Sequence, residues 1–113
     1  MKRLKPLSST IKEKNRYLVY KVISENEVDF SSVKNAIKEG VINFVGNLDL
    51  ARLNLFILDN WKDQKGILKV EREHLDTIRA CLIWIRKINK EPVILKVIGV
   101  SGTINKVKKK FFS

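Results

Sequence analysis

The chain has 113 residues, the size of one domain, and 44% of them are hydrophobic, enough to build a single core. That apolar content excludes a disordered tail, while Lys plus Arg number 23 against 12 Asp plus Glu, a formal net charge of +11, so an acidic partner is expected. Apolar runs such as Leu82 to Ile85 and Val93 to Leu95 fall far short of the roughly 20 residues that span a bilayer, so no membrane role is expected. Cys81 is the single cysteine, which rules out an internal disulfide and a cysteine-rich zinc site. The basic N-terminus lacks an apolar stretch of the secretory kind, so a cytoplasmic location is expected.

In chain order, Arg16 to Ser24 is rich in Tyr, Val and Ile and reads as a central strand. After the polar break Glu25 to Glu27, Ser31 or Ser32 is the expected N-cap of a helix, with Asp29 favouring its dipole. Val33, Ile37, Val41, Phe44 and Val45 make one helical stripe that stops at Gly46, and Gly40 inside it costs up to about 1 kcal/mol relative to Ala. Leu53 to Asp59 is a second strand, Asn60 to Gly66 a polar turn, and Ile67 to Glu71 a short third strand, together a hairpin. Glu73 to Ile88 carries an inner stripe of Leu75, Ile78, Leu82 and Ile85, widened by Cys81 and Ile88, with Arg86 and Lys87 in the last turn. Pro92 does not continue that helix, and Val93 to Val100 supplies a fourth strand. The order is β-α-β-β-α-β, an α+β, ferredoxin-like or RRM-like two-layer sandwich with both helices on one face.

The charge sits at the ends. Residues 1–16 carry a net +5 from Lys2, Arg3, Lys5, Lys12, Lys14 and Arg16 against Glu13. Residues 103–113 carry +4 from Lys106, Lys108, Lys109 and Lys110, leaving only +2 for the rest. The expected organisation is a basic N-terminal arm over 1–15, a sandwich domain over 16–102 and a basic C-terminal tail over 103–113. Basic arms on a nearly neutral body suit a protein that holds nucleic acid by its phosphates, with added solubility as the plainer purpose.

No catalytic constellation is visible. His74 is the single histidine, with no second His or Cys near it to complete a metal site. Cys81 lies on the core-facing side of its helix, where an inert buried thiol is expected. Lys65-Gly66 lacks the glycine spacing of a phosphate loop. An RRM stacks bases on third-strand aromatics, and here that strand reads Ile67, Leu68, Lys69, Val70. Tyr17 and Tyr20 fall on opposite faces of the first strand, leaving Tyr20 as a lone stacking candidate.

Three stretches then resemble one family. Arg16-Tyr17-Leu18 opens the first strand. Val70-Glu71-Arg72-Glu73-His74 joins the third strand to the second helix and is followed by Ala80-Cys81-Leu82. Gly99-Val100-Ser101-Gly102-Thr103-Ile104 precedes Lys106 and a Lys/Phe tail. In this order and spacing, from Arg16 to Phe112, they resemble the Pop-five type of ribonuclease P protein subunit, called component 2 in archaea. The turn at Asn60 to Gly66 is short and the leader before Arg16 long for that pattern. The resemblance implies a β-α-β-β-α-β sandwich that pairs with a TIM-barrel-like component 3, as a heterotetramer alongside other protein subunits. Together they would support the ribonuclease P RNA, which with its own Mg²⁺ cuts the 5′ leader from precursor tRNA. The protein would bind no cofactor and supply no catalytic residue. The alternative is a stand-alone ferredoxin-like domain that binds RNA or ribosomes, or a small-ligand regulatory domain of that fold.

Arm residues Lys2, Arg3, Lys5, Lys12, Lys14, Lys106, Lys108, Lys109 and Lys110 are therefore expected to neutralise phosphates. Arg16 would fix the arm where it leaves the sheet, and Arg72 and His74 would meet a phosphate at a helix N-terminus, or form a local cap there. Ser101 and Thr103 would offer hydroxyls and amides to RNA, or simply end the fourth strand. Phe111 and Phe112 would pack on RNA or a partner, or dock back on the core. Ala80, Ile83 and Trp84, with Trp61 near the hairpin turn, exceed what one core needs and are expected to meet the partner protein.

Overall fold

The computed structural model describes residues 14–46 and 52–112. Its main elements are β1 (Asn15–Ile23), α1 (Phe30–Val45), β2 (Phe56–Lys62) and β3 (Lys65–Glu71). After a 3-10 turn over Arg72–His74 come α2 (Leu75–Trp84), a small hairpin of β4 (Lys87–Ile88) and β5 (Glu91–Pro92), then β6 (Ile94–Ser101) and α3 (Ile104–Phe111). The main sheet runs β2-β3-β1-β6 with every neighbouring pair antiparallel. That is the ferredoxin-like order, with β6 as the fourth strand.

β1 lies between β3 and β6 and is buried on both faces over Leu18, Val19 and Tyr20, in keeping with its mostly apolar run, while Lys21 and Ile23 are exposed. Leu18, Tyr20 and Val22 point into the main core with Val33, Ile37 and Val41 of α1 and Ile78, Cys81 and Leu82 of α2. Val19 points the other way and packs with Ile67 and Val107 beneath α3. Burying each such side chain stabilises the fold by about 1.5 to 3 kcal/mol.

α1 begins two or three residues earlier than its serines indicate. Asp29 is the N-cap, its carboxylate accepting hydrogen bonds from the Ser32 backbone N–H at 3.1 Å and hydroxyl at 2.8 Å. These bonds favour the ionised form and hold the Asp29 pKa below its ordinary value. Gly40 is explained by packing: a Cβ there would stand 2.8 Å from the Ile85 side chain, so the glycine lets the chain after α2 press against α1.

β2 begins and ends later than its sequence indicates. Leu53 is buried in a helical turn, Asn54 adopts a positive φ of 50°, and the strand starts at Phe56. The turn is only Asp63-Gln64, both in left-handed conformations, the two-residue hairpin connection that matches strand twist. The Gln64 amide clamps this turn to the loop before α1, accepting from Val28 N at 3.1 Å and donating to Val28 O at 2.9 Å.

α2 is shorter than expected, ending at Trp84 instead of Ile88. Ile85 turns to an extended backbone, and Asn89 and Lys90 with positive φ close the β4–β5 hairpin. Asn89 Nδ2 donates to Ser32 Oγ at 2.6 Å, and Glu91 accepts from the backbone and side chain of Asn26. These bonds hold the hairpin to the start of α1 and keep Ile88 and Val93 buried, an arrangement a straight helix could not give.

The C-terminal tail is not an arm. Residues 104–111 form α3 on the sheet face opposite α1 and α2, with Ile104, Val107 and Phe111 aligned toward the sheet at i, i+3 and i+7. Gly99 makes the contact possible, because a Cβ there would meet the Phe111 ring at 2.5 Å.

Tyr20 is fully buried and its hydroxyl has no hydrogen-bond partner among the described residues. Its ring lies against Gly66 and 6.3 Å from the Trp61 centroid, inside the core, where it does not stack on a base. Burial pushes its phenol well above the ordinary value, which is near 10. Above pH ~10 the unfolded chain releases this proton and the folded chain retains it, so stability present below that pH is lost as pH rises. Tyr20→Phe removes an unpaired polar atom. The variant should melt at or above the native temperature at pH 7 and lose less stability between pH 9.5 and 11. A lowered melting temperature at pH 7 would show that the hydroxyl is satisfied.

Candidate nucleic-acid interface

Strand register sorts the face beneath α3 into rows of different chemistry. One row crosses the sheet as Phe56, Lys69, Tyr17 and Ser101, with the Lys69 ammonium 5.6 Å from the Phe56 ring centroid. The next contains Ile67, Val19 and Gly99 and lies under α3. The third is Lys62, Lys65, Lys21 and Lys96, one lysine from each strand. α3 adds Lys106, Lys108, Lys109 and Lys110, all exposed. Its last turn holds three of these, where they complement the negative end of the helix dipole. Among the described strand residues on this face, Glu71 is the single acid. Such a surface is chemically suited to phosphate.

Lys21, Lys62, Lys65, Lys69 and Lys96 are absent from the sequence-based expectation. They are spread over three sequence segments between acidic and apolar residues, and only the pairing register brings them together.

The expected contacts fall into separate places. Lys2, Arg3, Lys5 and Lys12 lie outside the described residues. Lys14 is exposed and lines a shallow pocket of about 110 Å³ with Glu71, Arg72 and Glu73. Arg16 is half-buried, donating from Nη1 to Asn15 O at 2.9 Å, and its guanidinium approaches Gly102. Ser101 Oγ accepts from Thr103 N at 3.3 Å, which ties both to the turn before α3.

His74 is drawn toward two carboxylates, its Nε2 3.7 Å from Glu71 and 3.6 Å from Glu73. A phosphate approaching the 3-10 turn would therefore meet Arg72 and Lys14 first, with Glu71 and Glu73 opposing it. Glu71, Glu73 and His74 also offer three metal-ligand atoms within 4.8 Å of one another, and the cations Lys14 and Arg72 beside them work against a bound cation.

Cys81 is buried in the core, and burial pushes its thiol pKa up, away from the thiolate a nucleophile requires. Trp61 departs from the expected interface because alternation along β2 turns it toward the helices, 5.4 Å from the Phe30 ring centroid. Ala80 is half-buried, whereas Ile83 and Trp84 are each 69% exposed. Trp84 borders a groove with Gly40, Asn43, Phe44 and Ile85, and Ile83 a second with Arg86 and Ile94, so an apolar strip follows the outer side of α2.

The fold and this surface define a ferredoxin-like α+β sandwich that gathers nine of its lysines on one face. The sequence matches the family model of the Rpp14/Pop5 family over residues 16–112. The chain belongs to that family. It is 38% identical over 108 residues to ribonuclease P protein component 2 of Methanococcus aeolicus, covering 96% of this chain and 79% of the relative. The component 2 protein of Thermococcus kodakarensis is 37% identical over 110 residues, covering 96% and 92%. A chain in the cryo-EM structure of yeast ribonuclease MRP shares the fold with a TM-score of 0.66 and 11% identity, covering 80% of this chain and 76% of that one. No helix among the described residues is long and apolar enough to cross a membrane.

Proposed function

We propose that this chain is the component 2 subunit of ribonuclease P, acting with component 3 to support the catalytic RNA as it removes the 5′ leader from precursor tRNA. The observation that carries this reading is family membership over residues 16–112, together with relatives of that name at 37–38% identity along nearly the whole chain. The lysine-dominated face supports it, because cations there would offset repulsion between RNA segments that Mg²⁺ must otherwise screen. The basic N-terminal residues and α3 would hold phosphates, the RNA would supply the Mg²⁺ and the reacting groups, and the protein would bind no cofactor. Its partners would be the ribonuclease P RNA, precursor tRNA, component 3 in a heterotetramer, and further protein subunits, all in the cytoplasm.

The test is cleavage of precursor tRNA at limiting Mg²⁺ by ribonuclease P RNA, with this protein and component 3 added singly and together. Leader removal that appears only with both proteins is the expected result. No gain over RNA alone, with this protein still binding structured RNA by itself, would replace the subunit reading with that of a stand-alone RNA-binding domain.

A further inference from the structure

Resting on that reading and deepening it, we propose that the row Lys62, Lys65, Lys21 and Lys96 is a track for consecutive phosphates of an RNA strand running across the sheet. The register places Lys62 opposite Lys65, Lys65 opposite Lys21, and Lys21 opposite Lys96. With strands about 4.8 Å apart, the row extends about 14 Å across the full width of the sheet. Like charges directly opposite one another destabilise a sheet. Folding alone gains nothing from three such pairs in succession, and no acid interrupts them. A polyanion removes the repulsion and turns it into attraction, and it must be extended to touch all four strands.

The row also lies at the end of α3. Lys65 Nζ donates to the Phe111 carbonyl at 2.7 Å and sits 5.8 Å from the Phe112 ring centroid. The lysines in the last turn of α3 thus continue the positive surface beyond the sheet. Lys21, Lys62 and Lys96 are exposed, and their long stems let each ammonium follow a phosphate. Lys65 is partly committed to holding α3 and is left unchanged in the test.

The experiment compares full-length protein carrying Lys21→Gln, Lys62→Gln and Lys96→Gln with a control of equal charge carrying Lys38→Gln, Lys87→Gln and Lys90→Gln. The control residues lie on α1 and in the β4–β5 hairpin packed against it. Binding is measured against ribonuclease P RNA and against polyuridylate over a salt series. The row variant should lose about 2 to 3 from the log–log salt slope and about tenfold or more in affinity, and the control should lose much less. Without RNA and at low salt, the row variant should melt at or above the native temperature, because the in-register repulsion is gone. Equal losses in the two variants would reduce the effect to net charge and overturn the track. A row-specific loss on polyuridylate, from a protein that does not bind ribonuclease P RNA, would keep the track and overturn the subunit reading. Failure of the unmodified protein to bind either RNA would overturn both.

Discussion

Val107→Asp should release α3 from the sheet and cost most of the stability of the domain. Val107 is buried against Val19 and Ile67, with Tyr17, Leu58, Ile98 and Phe111 around them. The described residues packed around it are hydrophobic, so a carboxylate there must leave the core and carry the helix with it. Val19 and Ile67 then become solvent-exposed, and β1 loses the burial on its second face that its apolar sequence requires. Val107→Ala, which removes two methyl groups without adding charge, should cost about 2 kcal/mol. Thermal melts, with proteolysis of the segment after Thr103, read both effects. The aspartate variant should be cut there under native conditions and the alanine variant should not. An unchanged melting temperature in the aspartate variant would mean that residues 104–111 contribute nothing to the fold and behave as the arm their charge implies.

α3 also shows where sequence reading stops. Its apolar positions Ile104, Val107 and Phe111 have helical spacing, but four lysines in a short segment outweigh three hydrophobic residues in any reading of composition. The partner of that stripe is the second face of β1, whose mostly apolar run is the sign of it in the sequence. The order of the main strands and of α1 and α2 was legible because each carries its own periodicity. The close approaches and several ends of those elements were not, since they depend on distant contacts: Gly40 on Ile85, Gly66 on Tyr20, and the end of α2 on the bonds from Asn89 to Ser32 and from Asn26 to Glu91. The lysine row is the extreme case. Lys21, Lys62, Lys65 and Lys96 form a line only once the register is set, and a one-residue slip of any strand would send its lysine to the other face. The terminal lysines are legible because they are adjacent in sequence, whereas those of the row are adjacent only in space.

The outer side of α2 carries the last large effect. Trp84→Ala combined with Ile83→Asp should weaken binding of component 3 by at least about thirtyfold while the domain stays folded. Both side chains are 69% exposed, so truncating them removes little from the core, and the melting temperature should move by no more than a surface substitution allows. Their neighbour Phe44 is also exposed, 46%, which extends the strip onto α1. A tryptophan in the middle of such a strip is the kind of residue that dominates an interface, with truncation costs of about 2 kcal/mol or more. Arg86 on the rim would set orientation and salt dependence more than affinity. The lysine face lies on the other side of the sheet, so the two surfaces can be occupied together, the α2 strip by protein and the α3 face by RNA. Titration calorimetry with component 3, alongside RNA binding by the same variant, separates them. Protein affinity should fall and the RNA salt slope should stay as it is. Unchanged affinity for component 3 in a folded variant would move the protein interface off α2.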